Sequence, residues 1–266
     1  MRNSRVIKLL SALLLFSFTI ISCGEDPVSS NEDPPVLPEF ENVEPDLSYF
    51  TDNPPQNSNS NYSQAYGYGV AIGGITSFAQ IYTSSFTTAT SEDASFEDGQ
   101  WVWEYTYSYQ GESASVSLIA EESDGFINWE MTWTIDSQEF SLENYTILEG
   151  RVATDGSSGN WTFNNLNSET NTEEPFLVTE WSVSGENNFE SETDYYQDGS
   201  VVTSYTFTQN SNEFTVTYSD VDSESDITVF WDNEAGTGYY QSGSDSANRL
   251  CWDDTYQDVT CSSVGY

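Results

Sequence analysis

From Gln100 onward, apolar and polar residues alternate with a period of two, the spacing of a strand with one covered face. Trp101, Trp103, Tyr105, Tyr107 and Tyr109 fall on one side, with Val102, Glu104, Thr106 and Ser108 on the other. Ala114, Val116, Leu118 and Ala120 alternate next, then Ile127, Trp129, Met131, Trp133 and Ile135. Shorter runs follow: Trp161 and Phe163; Leu177, Thr179, Trp181 and Val183; Tyr205 and Phe207; Phe214, Val216 and Tyr218; Ile227, Val229 and Trp231. Gln110-Gly111, Ser123-Asp124-Gly125, Asp155-Gly156, Asp198-Gly199, Asn210-Ser211-Asn212 and Asp232-Asn233 supply turn chemistry between runs. The pattern predicts an antiparallel up-and-down meander of about ten strands. A sheet that wide accumulates twist and is expected to curl strongly or close into a barrel, with a two-sheet sandwich as the second choice. Acids such as Glu104 and Glu130 on the polar faces, together with short loops, argue against a membrane-spanning barrel.

Residues 66–86 follow a different period. Ala71, Ile75, Phe78, Ala79, Tyr82 and Phe86 recur at three- and four-residue steps, the spacing of one helix face. Gly73-Gly74 weakens such a helix by about 1 kcal/mol per glycine. The expectation is one N-terminal helix packed on the apolar side of the sheet. Before it, residues 23–61 are rich in Pro, Asn, Ser and acids and show no sustained periodicity, which reads as an extended, self-repelling linker. Residues 62–266 suit a single β-rich domain.

Composition narrows the chemistry. The chain holds 44 acids, five bases and no histidine. Three of the bases lie in residues 1–22, so the rest has Arg151 and Arg249 against all 44 acids, a net of −42. No basic patch exists to displace counterions from a nucleic acid, so no nucleic-acid partner is expected. With no histidine, and no lysine beyond Lys8, a Ser-His-Asp triad, a histidine-zinc centre and a Schiff-base lysine are excluded. Aromatic residues make up 15% of the chain, enough to build a core.

The N-terminus reads as an address. Residues 1–8 form a positive region with Arg2, Arg5 and Lys8, and Leu9–Ser22 is an apolar run too short to span a bilayer but suited to a signal peptide over residues 1–22. It ends Ile20-Ile21-Ser22-Cys23. This resembles the lipobox of bacterial lipoproteins, in which the cysteine is diacylated, the signal is cleaved before it and the new terminus is usually acylated. The resemblance covers residues 1–23. It implies that Cys23 is lipidated and that the membrane is a partner through that lipid. Directly after Cys23 stands Gly24, not the aspartate that retains some lipoproteins of this kind on the inner membrane, so the outer membrane is the expected address, with its periplasmic and surface faces both open.

An exported chain enters an oxidising compartment, where Cys251 and Cys261 are expected to pair; closing so short a loop stabilises by about 2–3 kcal/mol. Candidate chemistry beyond that is sparse. Trp101, Trp103, Tyr105, Trp129 and Trp133 could line a site for an apolar or glycan ligand, although aromatic strand residues more commonly form the core. Glu104 and Glu130 offer carboxylates of the kind glycosidases pair, but acids are too frequent here for the pair to carry information. Asp220, Asp222, Glu224 and Asp226 alternate as hard oxygen ligands would, without the EF-hand glycine or distal glutamate, and read better as a solvated turn. No cofactor, metal or catalytic residue is assigned. Two functions remain: a non-enzymatic envelope lipoprotein whose acidic β-domain binds an apolar or glycan ligand, or a structural or adhesive surface protein without a small-molecule ligand.

Overall fold

A computed structural model of the protein describes residues 33–36, 46–58, 60–71, 93–109, 112–136, 141–167, 172–185, 187–223 and 225–266. Among these, fourteen strands form one antiparallel sheet: β1 (Ser95–Glu97), β2 (Gln100–Tyr109), β3 (Glu112–Ser123), β4 (Phe126–Asp136), β5 (Ser141–Ala153), β6 (Ser158–Asn167), β7 (Thr172–Val183), β8 (Asn188–Gln197), β9 (Ser200–Asn210), β10 (Glu213–Asp220), β11 (Ile227–Asp232), β12 (Thr237–Ser242), β13 (Arg249–Trp252) and β14 (Asp258–Val259). Spatial order follows chain order from β1 to β14. The sheet is therefore a pure meander, but it does not close, and it has four strands more than expected. Its two edges are the three-residue β1 and the two-residue β14, and short edges limit pairing with another chain.

Turn chemistry sets the register where the sequence indicated. Asp124-Gly125 and Asp198-Gly199 both have positive φ at each residue, 54° and 78°, then 51° and 74°. That is the backbone of a two-residue hairpin whose twist matches its strands. It holds Ser123 opposite Phe126 and Gln197 opposite Ser200.

Several strands were hard to see because their alternation fails. In β5, register shifts against β4 leave Ile147 and Leu148 both buried, and Asn144 takes φ 50° at a second irregularity. Such bulges break the period of two. β8 places Glu190, Glu192 and Asp194 on one face and Phe189, Ser191, Thr193 and Tyr195 on the other, so its inward face is half polar and its alternation weak.

The inner face divides into two cores. The first gathers Trp103, Leu118, Trp129, Met131, Leu148, Trp161, Phe163 and Trp181 from β2–β7. The second joins Phe207, Phe214, Val229, Trp231 and Trp252 to an N-terminal segment. β8 lies between them: Phe189 packs against both cores, Ser191 is buried, and Thr193 shares a 2.9 Å hydrogen bond with Thr179.

That N-terminal segment differs from the expected linker. Leu47, Tyr49 and Phe50 are buried, around a one-turn helix α1 (Ser48–Thr51) that begins beside Asp46, whose Oδ1 accepts from the Ser48 N–H. A second helix, α2, runs through residues 61–71, starting five residues before the expected 66. Ser60 caps it: its Oγ accepts from the Ser63 N–H at 3.1 Å and its carbonyl from Gln64 at 3.3 Å. The buried face is Tyr62, Ala65 and Gly69, and Ala71 of the expected face is exposed. Gly69 is needed for close approach, because a Cβ there would lie 2.7 Å from the Phe50 ring. Ile75, Phe78, Ala79, Tyr82 and Phe86 lie outside the described residues.

Candidate functional site

Trp101, Trp103, Tyr105, Trp129 and Trp133 do share the inner face of β2–β4. Trp103 and Trp129 stack with centroids 5.9 Å apart and planes 27° from parallel. Trp103, Trp129 and Trp133 are buried at 3%, 2% and 6% exposure, and Trp101 and Tyr105 are half-buried. Trp103, Trp129 and Trp133 join Leu118, Met131 and Leu148 in the first core, and Trp101 and Tyr105 pack against it. Among the described residues, the buried indole N–H groups of Trp133, Trp181 and Trp231 meet no hydrogen-bond acceptor.

The opposite face carries a shallow cleft of about 200 Å³, lined by Glu104, Thr106, Ser115, Ser117, Thr132 and Thr134 among others. The Thr106 and Ser115 hydroxyls share a hydrogen bond at 3.1 Å, and Thr134 Oγ1 accepts from the Asn144 backbone N–H at 3.0 Å. Glu104 lies on this rim, whereas Glu130 stands exposed two strands away, beyond β3. The acidic stretch at 220–226 is a turn in its described part. Asp220 accepts from the Tyr218 hydroxyl at 2.9 Å and from the Asp222 N–H at 2.8 Å. Among the described residues, no group of three or more His, Cys, Asp or Glu could hold a metal ion.

Cys251 and Cys261 form the expected disulfide. What the sequence did not reveal is the assembly beside it. Trp252 is fully buried, and its indole N–H donates to the Tyr49 hydroxyl at 2.8 Å; that hydroxyl donates to the Gly236 carbonyl at 2.9 Å. Tyr62 donates to the Asn53 carbonyl at 2.7 Å and packs 4.5 Å from Tyr256. Asn61 donates through its amide N–H to Asp258 at 2.8 Å and through Nδ2 to the Cys251 carbonyl at 2.9 Å. Burial raises the phenol pKa of Tyr49 and Tyr62 well above the usual value, because an ionised ring would lose its hydration there. The only hint in the sequence was a pair of aromatics, Tyr49-Phe50, within an otherwise polar stretch.

Both arginines of the described residues face rings. Arg151 lies 3.9 Å over Phe126, and Arg249 lies 4.3 Å over Tyr239 and donates to Gln241 at 2.9 Å. No helix among the described residues is long and apolar enough to cross a membrane, and Cys23 lies outside them. No protein-family model matches the chain, and no curated protein or solved structure does so either.

Proposed function

We propose that this chain is a lipid-anchored envelope protein that works without catalysis, presenting an acidic β-sheet from the outer membrane. The observation that carries this reading is Cys23 at the end of a basic-then-apolar leader, in the position of a lipobox cysteine. Two acyl chains hold a folded domain on a membrane stably, since each buried CH₂ contributes about 0.8 kcal/mol. Residue types support the non-enzymatic part: no histidine is present, and both cysteines of the β-domain are consumed by a disulfide.

Between a ligand carrier and a structural or adhesive display protein, the burial of Trp103, Trp129 and Trp133 favours display. Rings so enclosed offer no face to a lipid chain or a sugar. The deciding experiment feeds cells an alkyne analogue of palmitate and follows the protein through detergent phase partition. The wild-type chain should carry label and enter the detergent phase, and Cys23→Ser should do neither. Unlabelled wild-type protein with a free mature N-terminus would defeat the anchor. A fatty acid or glycan retained by the purified protein in native mass spectrometry would defeat display in favour of the carrier.

A further inference from the structure

The loop closed by the disulfide touches the second core through few residues. β14 pairs with β13 at two positions, Cys251 opposite Val259 and Trp252 opposite Asp258. Asp253 shapes the turn between them, its Oδ1 accepting from the Thr255 N–H and hydroxyl and from the Gln257 N–H. At the tip, Tyr256 takes φ 60°, in the left-handed region that disfavours a side chain of this size. Held there, its ring reaches Tyr62 at 4.5 Å and Tyr49 at 6.0 Å. Asp258 and the Cys251 carbonyl supply the two acceptors for Asn61, at the first turn of α2. The loop therefore braces the segment from Tyr49 to Tyr62. Both belong to the second core, which adjoins the core of β2–β7 through Phe189 of β8, a ring that packs against both.

We infer that the Cys251–Cys261 disulfide is a redox latch: a dithiol that reduces it releases residues 47–66 from the β10–β14 half and leaves the β2–β7 half folded. Cys251 is fully buried and Cys261 is half-buried, so attack falls on Cys261. One thiolate of the dithiol bonds to the Cys261 sulfur as the Cys251–Cys261 bond breaks, and Cys251 leaves as a thiolate that takes up a proton. The second sulfur of the dithiol then displaces Cys261, which is protonated in turn, and the dithiol ends as its own disulfide. Two electrons pass from the dithiol to the two cysteines. Once the loop is open, Tyr256 relaxes from its left-handed backbone and the brace on Tyr62 and Asn61 is lost. If Cys23 carries lipid, the freed segment joins the tether, though the latch itself does not rest on that.

Hydrogen exchange read by mass spectrometry on the full chain, with and without dithiothreitol, tests the latch. In the reduced chain, exchange at residues 61–66 and in β13 should quicken on the order of 100-fold, the loop-closure contribution for a loop of this length. Protection in β3–β6 should hold. An unchanged rate at 61–66 overturns the inference, and so does an equal loss of protection through β3–β6, since the disulfide would then support the whole sheet. Tyr256→Ala with the disulfide intact gives a second reading that needs no reduction. It should quicken exchange at 61–66 alone, and unaltered protection there would remove the loop from the role assigned to it.

Discussion

Trp161 stands directly opposite Gly150 across the β5–β6 pair, and its indole occupies the space a side chain at 150 would need: a Cβ there would fall 2.1 Å from Cε3. The arrangement repeats. Gly159 faces Trp181 and Gly238 faces Trp252, with clashes of 2.5 Å and 2.4 Å for an added Cβ. Along one row of the inner face, Trp101, Ala120, Trp129, Gly150 and Trp161 alternate large and small across successive strands. Each indole thus lies over a small neighbour, which lets one sheet pack many tryptophans at normal interior density.

Gly150→Ala should therefore destabilise by about 1–3 kcal/mol, the usual cost of overpacking. Gly67→Ala is the contrasting case. Gly67 lies exposed in α2 with nothing within 4 Å of an added Cβ, so the change should be neutral or stabilise by up to about 1 kcal/mol. Urea midpoints of the two variants should move in opposite directions or, for Gly67→Ala, not at all. Equal losses would show that the indole at Trp161 yields freely.

Removal of one oxygen tests the second core. Tyr49→Phe takes away the acceptor of the Trp252 N–H and leaves that donor buried without a partner. The expected loss is about 1–3 kcal/mol. Tyr66→Phe, on a half-buried ring, should cost less. Chemical denaturation of both variants decides the order.

Alkaline pH should weaken the fold through its tyrosines. Burial pushes the Tyr205 phenol up to about 12, from the ordinary value of 10.0, with further upward contributions from Tyr218 and Asp220. Tyr49, Tyr62, Tyr218 and Tyr240 are raised by the same desolvation. Above pH 10 the unfolded chain gives up protons that the folded chain keeps, so the stabilisation is complete below pH 10 and is lost as pH rises towards 12. Tyrosinate absorbance at 295 nm should therefore lag behind free tyrosine and then rise together with loss of the near-ultraviolet circular dichroism. A smooth titration centred at pH 10 with the fold intact would contradict this.

On the outer face, Glu130 stands opposite Glu149 and Glu180 opposite Glu192, all four exposed. Like charges directly across a sheet repel, so Glu130→Thr and Glu180→Thr should each stabilise by about 0.2–1 kcal/mol at low salt. The same repulsion acts over the whole chain. Screening shortens from about 8 Å at physiological ionic strength to about 3 Å at 1 M. The thermal midpoint of the lipid-free protein should accordingly rise between low salt and 1 M NaCl, with KCl equivalent, and the gain should be smaller in the two variants. Stabilisation by millimolar Ca²⁺ with none from 1 M NaCl would replace screening with a specific site.

The meander, the Asp124-Gly125 and Asp198-Gly199 hairpins, the Cys251–Cys261 pairing and the side of the sheet on which each of Trp101, Trp103, Trp129 and Trp133 lies were all legible along the chain. All of these rest on local chemistry: a period of two, a turn that requires positive φ, or two thiols in a short loop. Tertiary structure decided the rest. The inward face of β8 mixes Phe189 and Tyr195 with Ser191 and Thr193, too weak an alternation to mark a strand, so pairing with β7 and β9 makes it one and buries Ser191 opposite Trp181. Tyr49 and Phe50 look like linker until Trp231 and Trp252, some two hundred residues later, are brought beside them. Whether the sheet closes depends on how twist and bulges add up over fourteen strands, and here β1 and β14 remain edges. Alternation tells each residue which way to face; what it then meets is fixed by contacts between segments distant in the chain.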